Sequence, residues 1–486
     1  MKKLMVLLLA GMMIFNVWGG FIFAREAATP TVASGATSDI SGTWLGALKV
    51  SGIEMRLVFK ITKNADGSLS STMDSPDQGV KGIPVALTTF SDGKLQIEMP
   101  IIQGSFDGVI NSDGTEIAGE WKQGVSYPLT LKRTQVVEEA RRPQEPKPPF
   151  PYHEEEVTYQ NQTAGIILAG TLTIPEGKGS FPAVIMVSGS GAQDRNETIL
   201  NHKPFWVIAD YLTRRGIAVL RVDDRGVGGS GGNLIQSTSS DLAGDALAGV
   251  EYLKKRKDIN PKQIGLIGHS EGGIITPLAA TRSKDVAFIV MLAGPGLKGS
   301  DILLKQNELI IKASGGSDQD VAKQLDLLNS VFKILQETDP GVVKTKIHEL
   351  AEKTYNEMSD ADKQASGNSS ANLEAGLLGM TTPWFRFFIG YDPIPTLKKV
   401  TCPVLALNGS KDLQVPPAED LAAIAAALKA GKNKDYTIKE LPNLNHLFQK
   451  CTTGSPSEYG TIEETFSPDA LKIMGDWIVA HTQKKK

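Results

Sequence analysis

Short runs in which apolar and polar residues alternate characterise residues 38–134, for example Met55–Ile61. This period of two is typical of strands that bury one face. Asp-Gly pairs, which favour tight hairpins, separate the runs at 66–67, 92–93 and 113–114. The pattern predicts a small antiparallel all-β domain, a barrel or sandwich of roughly eight strands. Trp44 and Trp121 are expected in its core, with the lining of a ligand pocket as the alternative.

A different pattern begins at His153, where continuous apolar runs alternate with amphipathic segments such as Asp241–Lys257. Unbroken runs of Val, Ile and Leu separated by helices are typical of a parallel sheet with helices on both faces. Strands are predicted at Ala183–Val187, Ala218–Val222, Ile264–Ile267, Ala287–Leu292 and Val404–Leu407. Residues 296–395 contain no such run. The absence of a strand pattern there predicts a helical insertion that covers one end of the sheet as a lid. Residues 153–486 are therefore expected to form an α/β domain.

Residues 135–152 join the two patterns and contain five prolines between positions 143 and 151. Proline-rich segments of this kind are extended and semi-rigid. The stretch is therefore predicted to be a linker between the β domain and the α/β domain.

The first 24 residues have the organisation of a signal peptide. Lys2 and Lys3 precede an uncharged run from Leu4 to Ala24, which is followed by Arg25. A basic start and an apolar segment are typical of secretory signals, so the protein is expected to be periplasmic or secreted. The run is also long enough to cross a bilayer, which keeps an uncleaved membrane anchor as the alternative.

Charge and cysteine content exclude several classes of protein. The 51 basic and 54 acidic residues give a formal net charge of −3, so there is no basic excess for binding nucleic acid. Two cysteines are too few for a disulfide scaffold or a zinc finger. Cys402 and Cys451 are expected near opposite ends of one strand, too far apart to form a disulfide. No group of His, Cys and Asp has the spacing of a metal site, so neither a metal nor a cofactor is expected.

The pattern Gly-x-Ser-x-Gly occurs twice, at 228–232 and at 268–272. A nucleophilic serine in this motif lies at a sharp turn between a strand and a helix. Ser270 fits this context, because an apolar run precedes it and a helix-compatible run of small and apolar residues follows it. Ser230 instead lies in a glycine-rich loop followed by polar residues. Ser270 is therefore the predicted nucleophile.

A serine hydroxyl needs a general base, and the chain has six histidines. In enzymes with this turn, an acid and then a histidine follow the serine along the chain. His446 lies in a polar loop directly after an apolar run, whereas His348 and His481 lie in predicted helices. Asp412 lies at a turn that ends a strand-like run, whereas the competing Asp392 precedes its strand. Asp412 and His446 are therefore the predicted acid and base.

Acyl transfer also needs two backbone N–H groups that stabilise the developing negative charge. One is predicted at Glu271, the residue after the nucleophile. The other is expected in the turn of small residues after the first parallel strand, at Ser190, with Gly191 as the second choice. Asp194 and Arg195 follow this turn and are expected to brace it, with substrate contact as the alternative.

Together these motifs resemble the α/β-hydrolase superfamily and, more narrowly, bacterial secreted esterases related to the serine aminopeptidase-like branch. The resemblance covers residues 153–483 and rests on Val187–Arg195, Asp223–Gly228, Gly268–Gly273, Thr382–Phe388, Asn408–Pro417 and Asn445-His446. It implies a triad of Ser270, Asp412 and His446, with the helical lid between the sixth strand and the acid. One departure is Ser188-Gly189, where lipases often have His-Gly, and it argues against a lipase.

The expected reaction is hydrolysis of small carboxylic esters with short to medium acyl chains. Trp384 and Phe388 of the lid are candidates for the acyl pocket, and packing of the lid onto the sheet is the alternative role. A peptidase of the aminopeptidase-like or acyl-peptide type is the first alternative function. An aminopeptidase would need acids such as Glu374 or Asp392 to hold the substrate ammonium group. A polysaccharide deacetylase, or a non-catalytic binding protein on a hydrolase scaffold, is the further alternative.

Overall fold

Two compact units make up the chain in the computed structural model, which describes residues 39–482 except 51–52, 79, 124, 137–140 and 366–368. One unit comprises the described parts of residues 1–140 and 344–378, and the other those of residues 141–343 and 379–486. The predicted signal peptide, residues 1–24, lies outside the described residues.

The first unit contains an antiparallel half-barrel, which confirms the predicted all-β class. Its nine described strands are β1 (Gly42–Val50), β2 (Ile53–Lys63), β3 (Leu69–Ser75), β4 (Val80–Pro84), β5 (Leu87–Ser91), β6 (Lys94–Met99), β7 (Gly104–Ile110), β8 (Glu116–Gln123) and β9 (Val125–Thr134). They pair in the order β4-β3-β2-β1-β9-β8-β7-β6-β5. Each predicted Asp-Gly pair lies in the turn of a hairpin. Asp92 and Gly93, with φ of 51° and 75°, both adopt the left-handed backbone that a tight hairpin turn requires.

The core of the half-barrel consists of large apolar side chains from its concave face. Trp44 and Trp121 are almost fully buried, which confirms their predicted place in the core. The Trp121 ring lies 6.1 Å from that of Phe59, which in turn lies 6.3 Å from that of Phe106. Gly119 has no room for a side chain, since a Cβ there would lie 2.1 Å from the carbonyl oxygen of Asp107.

The second unit is built on a mixed eight-stranded sheet. Its strands are β10 (Tyr152–Asn161), β11 (Ile166–Pro175), β12 (Phe181–Val187), β13 (Ala218–Val222), β14 (Ile259–His269), β15 (Phe288–Leu292), β16 (Val404–Gly409) and β17 (Tyr436–Leu441). The strand order is β10-β11-β13-β12-β14-β15-β16-β17. The strands from β12 to β17 pair in parallel as predicted, whereas β10 and β11 form an antiparallel hairpin at one edge. The sequence pattern missed this hairpin because the residues of β10 are mostly polar.

Helices alternate with the parallel strands along the chain and make up the described residues between β15 and β16. They are α1 (Pro204–Thr213), α2 (Ser239–Lys254), α3 (Gly272–Arg282), α4 (Gly299–Ala313), α5 (Asp318–Ile334), α6 (Pro340–Glu357), α7 (Asp360–Ala365), α8 (Ser370–Gly379), α9 (Pro383–Gly390), α10 (Ile394–Leu397), α11 (Pro417–Ala430) and α12 (Pro468–Thr482). Between β15 and β16 the described residues form helices and no strand, in agreement with the sequence pattern. None of the helices described is both long and apolar enough to cross a membrane.

The segment after residue 140 is held tightly within the second unit. The guanidinium group of Arg142 donates hydrogen bonds to the backbone carbonyls of Leu200, Asn201, Gly460 and Ile462. Gln144 accepts the backbone N–H groups of Thr465 and Phe466. The domain boundaries and the linker drawn from the sequence stay predictions. Cys402 and Cys451 are both free thiols, as predicted.

A buried carboxylate fixes the start of the helical insertion. Asp420, in the first turn of α11, is fully buried and accepts the backbone N–H groups of Gly296 and Leu297 through Oδ1. Its Oδ2 has no hydrogen-bond partner in the described part of the chain. Burial raises the pKa of Asp420 to about 7, although the two N–H donors lower it.

Asp420→Asn is expected to make the protein more stable than the native chain above pH 7. The unfolded carboxyl ionises near its ordinary pKa and the folded one only near 7, so native stability falls as pH rises between these values. One pKa unit corresponds to about 1.4 kcal/mol, and the variant should therefore gain about 4 kcal/mol at pH 8 and little at pH 4. Thermal unfolding across this pH range measures the difference. The neighbouring exposed Glu419→Gln is the control, and equal pH dependence of all three proteins would contradict the argument.

Candidate active site

Ser270 lies on a sharp turn between β14 and α3, as the motif predicted. Its φ of 53° is in the left-handed region, and its N–H donates to the carbonyl of Leu292 at 2.8 Å. Two glycines make the turn possible. A Cβ on Gly268 would lie 2.0 Å from the carbonyl oxygen of Gly272, and a Cβ on Gly272 would lie 2.3 Å from that of Val187. The strand can thus pass directly into the helix with the serine at its carboxyl end.

The second Gly-x-Ser-x-Gly motif has a structural role. Ser230 is buried, and its hydroxyl donates to the carbonyl of Asp223 at 2.7 Å while accepting the N–H of Ala169 at 2.9 Å. Both bonds hold the loop after β13 against β11. No helix follows Ser230 directly, in agreement with the choice of Ser270 from the sequence.

His446 and Asp412 form a buried pair. His446 Nδ1 lies 2.8 Å from Asp412 Oδ2, and the two residues are 4% and 2% exposed. The other oxygen of Asp412 accepts the backbone N–H groups of Gln414 and Val415 at 2.7 and 2.9 Å. These two donors orient the carboxylate, which in turn orients the imidazole. The structure thus brings together the two residues that the sequence selected in the loops after β16 and β17, and their roles as acid and base stay predictions.

The remaining histidines after the serine lie elsewhere. His348 is exposed on α6 and pairs with Glu374, and His481 contacts the carbonyl of Trp477 within α12. His202, which precedes the serine, is buried and bonded to the carbonyl of Tyr459, and burial lowers its pKa to about 4. All three fit the structural roles expected of helix and core histidines.

A residue that the sequence argument passed over, His269, connects the parts of the site. Its Nδ1 lies 2.9 Å from Glu197 Oε1, and its Nε2 lies 3.0 Å from the carbonyl oxygen of His446. Its ring centre is 4.8 Å from that of His446. Burial would lower the pKa of His269, but the charge and hydrogen bond of Glu197 outweigh it and raise the pKa above its usual value. Only its position beside Ser270 marked it in the sequence.

The loop after β12 supplies candidate donors for an oxyanion. The N–H of Gly189 is already bonded to Glu197 Oε1 at 2.7 Å. The N–H groups of Ser190, Gly191 and Glu271 have no acceptor among the described residues. A Cβ on Gly189 would lie 3.2 Å from Cβ of Ser270, so this loop lies directly against that serine. The structure thus leaves the predicted donors, Ser190 and Glu271, unbonded beside Ser270.

Arg195 and Asp194 brace this loop, as the sequence suggested. Arg195 contacts both carboxylate oxygens of Asp223 and reaches Glu156 and Thr171. Asp194 accepts the N–H groups of Asn196 and Thr198. Both side chains are thus engaged with neighbouring protein groups.

Two further carboxyl groups belong to the loops around Ser270. Asp224 accepts the hydroxyl of Ser188 at 2.6 Å and the N–H of Gln193 at 3.1 Å, and burial raises the pKa of Asp224 well above its usual range. Burial also raises the pKa of Glu271, whose Oε1 accepts the hydroxyl of Ser239 and the indole N–H of Trp384. These contacts fix the start of α2 and helix α9 to the residue that follows Ser270.

The aromatic residues of α9 differ in their surroundings. Trp384 stacks on Phe388 with ring centres 5.5 Å apart, and its N–H is held by Glu271 at 2.7 Å. Phe385 is buried against Phe332, whereas Phe387 stacks on Tyr391. Trp384 and Phe388 are therefore the members of this cluster tied to the serine turn, and their predicted role in an acyl pocket stays a prediction.

Comparisons with known proteins place these residues in a family. A family model described as serine aminopeptidase, S33, matches residues 204–450, just over half of the chain and a region that includes Ser270, Asp412 and His446. Esterase EstD from Thermotoga maritima is 29% identical over 280 residues. That match covers 58% of this chain and 58% of EstD, less than two thirds of the relative's length.

Solved structures with a similar fold include the α/β hydrolase GrgF from Penicillium sp. sh18, with a TM-score of 0.42 and 18% identity over 68% of this chain and 99% of GrgF. They also include the Pyrococcus furiosus esterase PF2001, with a TM-score of 0.40 and 16% identity over 72% of this chain and 97% of the esterase. The match of the family model over half of its length shows that this chain belongs to the serine aminopeptidase S33 family of the α/β-hydrolase superfamily.

Proposed function

We propose that this protein is a serine hydrolase that cleaves carboxylic esters with short to medium acyl chains. The proposal rests chiefly on the buried Asp412–His446 pair, with a nitrogen–oxygen distance of 2.8 Å. The loop that carries His446 is hydrogen-bonded through its carbonyl to His269, the residue directly before Ser270. Base and nucleophile are thus held in adjoining segments, the arrangement that serine activation needs.

The proposed mechanism follows from the roles of these groups. His446 Nε2 takes the proton of Ser270 as the serine oxygen attacks the ester carbonyl, and His446 then gives this proton to the departing alcohol. Water attacks the resulting acyl-enzyme in the same way and releases the acid and the free serine. Asp412 keeps the second ring nitrogen of His446 protonated and stabilises the imidazolium that forms. The N–H groups of Glu271 and Ser190 are proposed to stabilise the oxyanion.

The state of the nearby acids favours an ester over a peptide with a free amino terminus. An aminopeptidase needs carboxylates that are free to hold an ammonium group. Glu374 pairs with His348, and Asp392 accepts the N–H of Ile394 at the start of α10. Near Ser270, Glu197, Asp224 and Glu271 each accept hydrogen bonds from protein groups. The relative EstD is named as an esterase, which also favours an ester substrate.

Treatment of the native protein with a fluorophosphonate is expected to modify Ser270, because an activated serine attacks the electrophilic phosphorus. Mass spectrometry of the peptides locates the adduct. Ser230→Ala should react like the native protein, Ser270→Ala should not react, and His446→Ala should react about 100-fold more slowly or worse. An adduct on Ser230, or none on Ser270, would contradict the proposed nucleophile.

Asp412→Asn should lower kcat by about 1,000- to 10,000-fold with little change in KM. The backbone N–H groups of Gln414 and Val415 need an acceptor, so the amide oxygen of the substituted side chain will face them and its NH2 group will face His446. His446 Nδ1 must then accept, which places the ring proton on Nε2 and prevents it from taking the serine proton. Steady-state hydrolysis of p-nitrophenyl butyrate measures the effect. A decrease in kcat of less than tenfold would show that Asp412 does not orient the base.

Acyl preference is expected to depend on α9. The native protein should hydrolyse p-nitrophenyl acetate and butyrate and act poorly on the palmitate ester and on aminoacyl p-nitroanilides.

Phe388→Ala should shift the preference toward longer acyl chains by enlarging the pocket. Trp384→Phe keeps an aromatic ring and removes the bond to Glu271, and serves as the matched variant. An unchanged chain-length profile in both variants would place these aromatics in lid packing alone, and faster cleavage of the anilides would favour a peptidase.

A further inference from the structure

One carboxylate oxygen and one imidazole link the loops of the proposed site. Glu197 Oε1 accepts both the N–H of Gly189, at 2.7 Å, and Nδ1 of His269, at 2.9 Å. The other ring nitrogen of His269 lies 3.0 Å from the carbonyl oxygen of His446. The loop after β12, the serine turn and the histidine loop are therefore joined through two side chains, which are 4% and 7% exposed.

The partners of His269 determine its protons. Both ring nitrogens face oxygen atoms that accept hydrogen bonds, a carboxylate on one side and a carbonyl on the other. A neutral imidazole has one N–H and would leave a nitrogen lone pair about 3 Å from an oxygen. An imidazolium donates to both, and the charge of Glu197 balances it. The pair is thus neutral as a whole, which makes its burial acceptable.

We propose that Glu197 and His269 are positioning residues. The doubly protonated ring of His269, paired with the carboxylate of Glu197, holds the His446 loop and the loop of Gly189 against Ser270. The inference rests on the proposed function of Ser270 and His446 and extends it to two residues that touch neither the substrate nor the transferred proton. Because the N–H of Gly189 is bonded to Glu197, the next N–H of this loop that can face an oxyanion is that of Ser190. The bond from His269 to the carbonyl of His446 fixes the backbone of the base.

The same contacts set the pH range over which the ring of His269 stays doubly protonated. Four titratable groups face it: Asp412 and His446 across the ring, Glu197 at Nδ1, and Asp224 beside Glu197. Because the pKa of His269 is raised in the folded protein, the doubly protonated ring persists above the usual histidine range and is lost as pH rises through the raised pKa. Loss of this proton breaks the link to the His446 carbonyl, so it should contribute an alkaline fall in kcat.

Glu197→Gln is the main test, measured on the full chain with p-nitrophenyl butyrate and normalised to the titrated fraction of reactive serine. The amide oxygen can still accept the N–H of Gly189, but without the charge His269 keeps a single N–H and loses one partner. We expect kcat to fall by about tenfold to 100-fold, KM to stay within about threefold, and the alkaline limb of kcat to move down by about one pH unit or more. Glu251→Gln, an exposed partner of Lys254 on α2, is the control with native kinetics.

Two conservative variants of His269 separate its two bonds. Glutamine brings its nitrogen near the position of Nε2 and retains the bond to the His446 carbonyl, whereas asparagine brings its nitrogen near Nδ1 and retains the bond to Glu197. His269→Gln should therefore keep a larger share of native kcat than His269→Asn. Equal losses in both variants, with native kcat in Glu197→Gln, would overturn the positioning role.

Nuclear magnetic resonance of the protein labelled with ¹⁵N in its histidine rings tests the proton itself, independently of activity. At pH 6.5, the usual pKa of a histidine, the ring signal that disappears in His269→Asn should show two protonated nitrogens, and only one in Glu197→Gln. A neutral His269 in the native protein would overturn the proposal even if Ser270 reacts with fluorophosphonate. If Ser270 fails to react while His269 is doubly protonated, the proposed function fails and the charge assignment stands.

Discussion

The left-handed backbone of Ser270 is the constraint on which the site depends. A strand must become a helix within two residues, and the closest contacts of this turn are between backbone atoms. Gly268 meets the carbonyl of Gly272, and Gly273 would place a Cβ 2.4 Å from Cα of Gly294. Any side chain at these positions would push α3 away from β14 and from the segment after β15. The position of the partly exposed serine at the end of β14 therefore depends on the packing of the sheet and its helices.

Parallel strands bring the other groups to the same edge. The loop of Gly189 follows β12, Asp412 follows β16 and His446 follows β17, and the carboxyl ends of parallel strands all meet at one edge of the sheet. Residues that are more than 170 positions apart in the chain thus contact one another, as His269 and His446 do. The strands fix only the residue at which each loop begins. The distances between the side chains of the site therefore depend on hydrogen bonds among the loops.

Buried carboxylates at this edge differ in how they are compensated. Asp412 has two backbone donors and an imidazole, and Glu197 has a backbone donor and an imidazole. Asp420 has two backbone donors on one oxygen and, among the described residues, an unpartnered second oxygen, and its pKa rises to about 7. Burial raises the pKa of a carboxyl group and hydrogen-bond donors lower it, and at Asp420, Asp224 and Glu271 burial outweighs the donors. Asp412 and Glu197 each contact a histidine ring in addition to their backbone donors.

Local sequence determined the elements and their classes. Asp-Gly turns and alternating runs predicted the half-barrel, and the runs before and after Ser270 separated it from Ser230, because backbone conformation and periodic burial are properties of short segments. The edge strand β10 escaped this reasoning, since an edge strand with one wet face carries a weak apolar signal. Tertiary structure alone decided that Gly189, Glu197, His269 and the His446 carbonyl form one chain of hydrogen bonds, and that Trp384 is bonded to Glu271. Such contacts join residues far apart in sequence, and their partners and protons depend on distances that no spacing along the chain encodes.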